Sequence, residues 1–90
     1  MDIFLSADIE GTCGITTWSE TERSTPNDYA PFRKQMTREV DAACKGALDA
    51  GAAGIFIKDA HDSARNLDVS ALPRQVRILR GWTGDPLSMM

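Results

Sequence analysis

The chain has 90 residues, 42% of them hydrophobic and 26% charged, with a formal net charge of −3. Such a chain makes one small globular domain, burying about 60–65% of its unfolded surface, and its composition excludes a disordered polymer. The acidic balance speaks against a nucleic-acid partner, which needs a basic face, and no run approaches the roughly 20 apolar residues of a membrane span.

Residues 2–7 form a short apolar run with Ile3, Phe4 and Leu5 adjacent. A continuous run of this kind predicts a strand covered on both faces. Gly11, Gly14 and the polar stretch from Thr16 to Asn27 read as loop. Pro26 suits the first position of a helix with Thr25 as N-cap. Pro31 is expected only in a first turn, which leaves the helix start open by several residues. The clearest helical pattern runs from Thr37 to Ala50, where Val40, Ala43, Cys44, Ala47 and Leu48 recur at three- and four-residue spacing. Gly51 ends it.

Gly54 to Lys58 reads as a second short apolar strand, and Asp59 to Asp68 as a polar loop. Leu67, Val69 and Leu72 are expected to anchor a turn before Pro73. Val76 to Leu79 alternates as a third strand, and Gly81, Gly84 and Pro86 signal another loop. Strand, helix, strand is a βαβ unit, which pairs its strands in parallel through a right-handed crossover. Both strands therefore end on one edge of the sheet. There are no internal repeats.

That edge gathers the residues with chemistry. Ser6-Ala7-Asp8-Ile9-Glu10-Gly11 follows the first strand, and Lys58-Asp59-Ala60-His61-Asp62 follows the second. In extended backbone, residues i and i+2 point the same way, so Asp8 and Glu10 are expected to present two carboxylates to one spot. Open α/β sheets bind ligands at this carboxyl edge. Two carboxylates with one imidazole suit Zn²⁺, Mn²⁺ or Co²⁺ better than Mg²⁺ or Ca²⁺, which prefer oxygen alone. Asp8, having two oxygens, is suited to bridge two metals about 3.5–4 Å apart. Asp59 is expected behind the ligands, as an acceptor that orients one of them. Short acidic motifs after strands are common as turn residues. What distinguishes this one is that the only histidine of the chain falls on the same edge.

At these residues the sequence resembles the zinc-dependent D-aminopeptidases of the DppA type. The likeness rests on Ser6 to Gly11, Met36-Thr37-Arg38-Glu39-Val40, Gly46-Ala47, Ala50-Gly51-Ala52, Asp59-Ala60-His61, Asn66-Leu67, Arg80-Gly81 and Pro86 to Met90. The strand-end Ser-x-Asp-x-Glu-Gly with a later Asp-x-His is its specific part. The resemblance implies a three-layer α/β/α sheet, of which residues 1–90 are the front portion. It also implies a dinuclear zinc hydrolase that removes N-terminal residues from short peptides, preferring D-amino acids, and that assembles into self-compartmentalising homo-oligomeric rings. Asp8 is then the bridging ligand, while Glu10 and His61 complete one zinc. The second zinc takes a further His and Glu from later in such chains, and the catalytic His is also later. No residue of this chain is therefore assigned a catalytic role. With no second histidine, and a length well short of such enzymes, the chain is expected to be a fragment that binds a single metal weakly and turns over no substrate efficiently.

Two other classes compete. Asp8-Ile9-Glu10-Gly11-Thr12 approaches the Asp-x-Asp-Gly-Thr of haloacid-dehalogenase-like, Mg²⁺-dependent phosphatases. Glu in place of the second Asp misplaces the acid/base group, and Asp59-x-His61 goes unexplained. The other class is a non-catalytic α/β module. Among the remaining residues, Cys44 belongs to the core. Cys13, with no histidine near it in sequence, reads as a free thiol. Trp18 and Trp82 are expected to be partly buried against the core, and Arg33, Lys34 and Arg38 to form a solvated helix face. Ser6 and Ser63 have no base beside them. No basic segment precedes the first apolar run, so a cytoplasmic location is the expectation.

Overall fold

A computed structural model describes residues 1–81; the expectations for Trp82, Gly84 and Pro86 to Met90 lie outside them. Three strands, β1 (Asp2–Ala7), β2 (Gly54–Asp59) and β3 (Val76–Leu79), form a parallel sheet in that order, and one long helix, α1 (Pro26–Asp49), crosses between the first two. This is the βαβ unit expected, with β3 added beyond β2.

The sheet departs from expectation in its faces. Leu5, Ala7, Ile55, Ile57, Val76 and Ile78 pack with Met36, Val40 and Cys44 of α1 in one core. Phe4 and Phe56, register partners on β1 and β2, instead stack on each other at 5.8 Å and remain exposed. Apolar residues at consecutive strand positions necessarily face opposite sides of a pleated sheet. Among the described residues only one of those sides is covered by a helix.

Helix α1 starts earlier than its clear periodicity. Pro26 takes the first position, as expected, but Pro31 lies inside the helix rather than in its first turn. A proline there removes the hydrogen bond to the carbonyl four residues back. Asn27 and Pro31 are both exposed, so water can solvate that carbonyl. The apolar face meanwhile continues N-terminally through Tyr29, Phe32 and Met36 to Val40 and Cys44. At the other end Gly51 has φ +96°, and the amides of Gly51 and Ala52 return to the carbonyls of Leu48 and Ala47. This is a Schellman ending, which requires the left-handed conformation glycine adopts without strain.

Two short 3-10 turns lie within the 9–25 segment, Ile9–Gly11 and Trp18–Thr21. A third, Val69–Ala71, sits before Pro73, flanked by buried Leu67 and half-buried Leu72. Val69 itself is exposed.

Candidate metal centre

The first strand runs directly into the Ile9–Gly11 turn. Ile9 is fully buried in the core, worth about 1.5–3 kcal/mol for such a side chain. The amides of Gly11 and Thr12 close the turn on the carbonyls of Asp8 and Ile9. With Ile9 pinned inward, Asp8 and Glu10 on either side turn outward. Asp8 retains extended backbone, but Glu10 belongs to the turn. The two carboxylates thus converge through a tight turn, not through strand alternation as the spacing suggested.

The parallel ladder continues one step past the strands, with the Ala60 amide donating to the Ala7 carbonyl at 2.8 Å. This bond ties the segment bearing His61 to the one bearing Asp8. The His61 Nδ1 lies 3.1 Å from Asp8 Oδ1 and 2.8 Å from Glu10 Oε1. One donor atom from each of Asp8, Glu10 and His61 falls within 4.8 Å of the other two. The structure therefore brings together the three residues singled out in the sequence.

The other ring nitrogen of His61, Nε2, is 2.7 Å from the carbonyl oxygen of Thr21. A carbonyl can only accept, so Nε2 carries the hydrogen and donates it. That assignment leaves Nδ1, facing the carboxylates, as the nitrogen free to bind an ion when the ring is neutral. A metal-binding histidine characteristically donates its other N–H to a carbonyl or carboxylate. Thr21 is itself buried, its hydroxyl donating to the Trp18 carbonyl at 2.7 Å. The sequence offered no sign of this partner, because every residue has a carbonyl.

Electrostatics agree with a site shaped for a cation. A hydrogen bond shared with the Asp8 carboxyl, then burial, hold the Glu10 pKa above its ordinary value. For His61, burial favours the neutral ring, but the Thr21 carbonyl and then the Glu10 and Asp8 carboxylates outweigh it and raise the pKa. Glu10 and His61 thus hold their protons more tightly than they ordinarily would, and a divalent ion would compete with those protons. Oxygen, oxygen and imidazole nitrogen are ligands that zinc accepts, and the residues present fit such an ion.

Asp59 is placed otherwise than expected. As the register partner of Ala7 it is fully buried. Its Oδ2 accepts the amides of Asn66 and of Leu67, the latter at 2.7 Å, and its Oδ1 accepts Asn66 Nδ2 at 2.9 Å. It does not meet the His61 ring. Its link to the site runs through Asn66, whose Nδ2 also donates to the His61 carbonyl at 2.6 Å. Tyr29 donates its hydroxyl to Asn66 Oδ1 at 2.8 Å, and Arg33 Nε donates to the Asn66 carbonyl at 2.7 Å. The segment 59–68 is the polar loop expected, but much of it is buried. Arg33 bonds to this segment instead of standing on a solvated helix face. Trp18, expected to be partly buried, is 73% exposed, and both cysteines are free, with Cys44 buried and Cys13 exposed.

A family model described as D-aminopeptidase matches residues 1–90. No curated protein sequence gives a significant match. Among solved structures, the chain is similar to the Zn-dependent D-aminopeptidase DppA from Bacillus subtilis, described as a self-compartmentalizing protease. The TM-score is 0.90 at 26% sequence identity, over 99% of this chain and 32% of that one. The chain thus spans about a third of that protein's length.

Proposed function

This chain belongs to the D-aminopeptidase family, and from that membership we propose that Asp8, Glu10 and His61 form one part of the zinc centre of a peptidase that releases N-terminal residues, preferentially D-amino acids, from short peptides. The observation that carries this reading is the pairing of His61 Nε2 with the Thr21 carbonyl, which aims Nδ1 at two carboxylates. In the phosphatase alternative a histidine beside Asp8 has no task.

Zinc, when bound, lowers the pKa of water toward 7 and polarises a carbonyl. The chain's own residues do the rest of what happens here. Asp8 and Glu10 would hold the ion and keep oxygen lone pairs that could accept the ammonium group of a peptide, which would favour cleavage beside a free N-terminus. Thr21 fixes the His61 tautomer, and Asn66, held by Asp59 and Tyr29, fixes its backbone. On the family resemblance, Asp8 would also serve a second zinc, and the further ligands of that zinc and the catalytic histidine would come from later in a longer chain. The complete enzyme is proposed to be a cytoplasmic homo-oligomeric ring, on the likeness to a self-compartmentalizing neighbour.

The purified 90-residue chain should take up one zinc weakly in a calorimetric titration, with binding abolished in Asp8→Ala, and should show no efficient hydrolysis of D-alanyl dipeptides. Absence of zinc uptake would sink the site. Efficient hydrolysis that disappears in Asp8→Ala would instead show that the catalytic set is complete within this chain.

A further inference from the structure

The turn that carries Glu10 is tied to the rest of the fold in two ways. Ile9 and Thr12 are buried. Burial is non-directional, so it keeps these residues inward without setting the angle at which Glu10 leaves the backbone. A hydrogen bond does set an angle. The amides of Gly11 and Thr12 spend theirs closing the turn on itself. The amide of Cys13 instead leaves the turn. It donates to the carboxylate of Glu39, 26 residues away on α1, at 3.1 Å to Oε2 and 3.4 Å to Oε1.

Glu39 is a well-fixed acceptor. Met36 and Val40, its neighbours on α1, are buried in the core and hold its backbone. Its Oε2 also accepts Gln35 Nε2 at 3.0 Å, and Gln35 Oε1 accepts Arg38 Nη2 at 2.7 Å. Between the turn and the helix lies a cavity of about 260 Å³, whose lining includes Asp8, Gly11, Thr12, Met36 and Glu39. Packing therefore leaves space between the two elements, and the bond from Cys13 to Glu39 spans it. Glu39 is not one of the three side chains whose donor atoms converge, so any effect it has on an ion passes through the backbone of the turn.

We propose that Glu39 is a positioning residue of the metal centre. By holding the Cys13 amide it sets the orientation of the Ile9–Gly11 turn, and with it the place of the Glu10 carboxylate beside Asp8 and His61. The proposal rests on the zinc-centre reading above and adds the residue that shapes the site from the helix. The clamp needs an acceptor at the right reach, not a charge. A side chain one methylene shorter loses a bond that weakens steeply with distance and angle. An amide oxygen in the Oε2 position keeps the bonds to both Cys13 and Gln35.

The test is calorimetric titration with zinc, at a temperature where every variant is folded, together with the visible absorption spectrum of the Co²⁺-loaded chain, which reports ligand number and geometry. Glu39→Ala and Glu39→Asp should each bind zinc about 10-fold more weakly, the low end of what loss of a metal site's outer partners costs, and should alter the cobalt spectrum. Glu39→Gln should match the unsubstituted chain in both. Val40→Ala removes buried volume from the same helix without touching the clamp; it should lower the melting temperature and leave zinc affinity and the spectrum as they were. Unchanged affinity in Glu39→Asp would overturn the proposal, and so would equal weakening in Glu39→Gln, which would assign the effect to charge. A loss in Val40→Ala as large as in Glu39→Asp would overturn it too, by making the effect one of general stability. Each of these results leaves the metal centre standing. Should Glu39→Ala fail to fold, the Asp and Gln variants decide the matter between them. Failure of the unsubstituted chain to bind zinc would remove the centre and the role of Glu39 together.

Discussion

At the scale of single residues, the candidate centre depends on groups that never touch an ion. Asn66 is fully buried and joins Asp59, Tyr29 and the His61 carbonyl. Replacing it by Ala would leave a buried carboxylate short of one donor and a tyrosine hydroxyl without its acceptor. Buried unsatisfied groups of this kind cost about 1–3 kcal/mol each. Asn66→Ala should therefore lower the urea-unfolding free energy of the metal-free chain by about 3 kcal/mol, and reduce zinc affinity by about 10–100-fold, as loss of a ligand's support does. Unchanged zinc affinity in a folded Asn66→Ala chain would mean that His61 needs no such support. Asp8, Glu10 and His61 were legible in the sequence because each carries its donor on a side chain beside a strand end. Thr21 was not, since its contribution is a backbone carbonyl brought from 40 residues away. Arg33 was misassigned because a charged residue on a helix is usually solvated; here its guanidinium satisfies the carbonyls of a buried segment.

At the scale of elements, the strands and the C-terminal half of the helix follow from their apolar spacing, and Gly51 marks the stop as expected. The N-terminal part of α1 was obscured by Pro31. Tyr29, Phe32 and Met36 continue the apolar stripe across that proline, and the burial of Tyr29 against the 59–67 segment outweighs the lost backbone bond. Proline in a helix interior costs about 3 kcal/mol relative to alanine in model hosts. Because this helix already tolerates it near an exposed end, Pro31→Ala should stabilise the chain by a smaller amount, about 1–2 kcal/mol. Thermal unfolding of the two chains without metal checks this. A lower melting temperature for Pro31→Ala would show that Pro31 shapes the entry of the helix, so that removing it disturbs the packing of Tyr29. The segment 59–68 was the element least legible from sequence. It reads as a polar loop, yet Asp59 and Asn66 are buried and bonded to each other and to Tyr29 and Arg33 of the helix, which nothing local in the sequence shows.

At the scale of the whole molecule, the site and the fold are coupled through protons. In the metal-free chain the His61 pKa is raised, so its contribution to stability is fully present below its unfolded value of 6.5 and is lost as pH rises through the higher folded value. Glu10, a carboxyl whose pKa is raised, acts in the same direction from its ordinary value of 4.5 upward, since folding disfavours its ionised form. Glu20 and Asp68 oppose them at the acid end. Their depressed pKa values stabilise the fold above the unfolded values, and that contribution is lost as pH falls through the folded ones. Between pH 6 and 8 the His61 contribution falls, with Glu10 acting in the same direction, and the metal-free chain should lose stability there. Zinc requires the neutral ring and both carboxylates ionised, so its affinity rises over the same interval. A ligand that binds only the folded chain stabilises it by RT ln(1 + [L]/Kd). The rise in melting temperature on adding a fixed, saturating excess of zinc should therefore grow from pH 6 to pH 8. The growth has two causes, a falling metal-free baseline and a tightening complex. In His61→Ala the baseline should slope less across this interval and most of the zinc effect should vanish. If the zinc-induced shift were instead constant from pH 6 to 8, His61 would not be exchanging a proton for the metal, and zinc would have to be held through carboxylates alone.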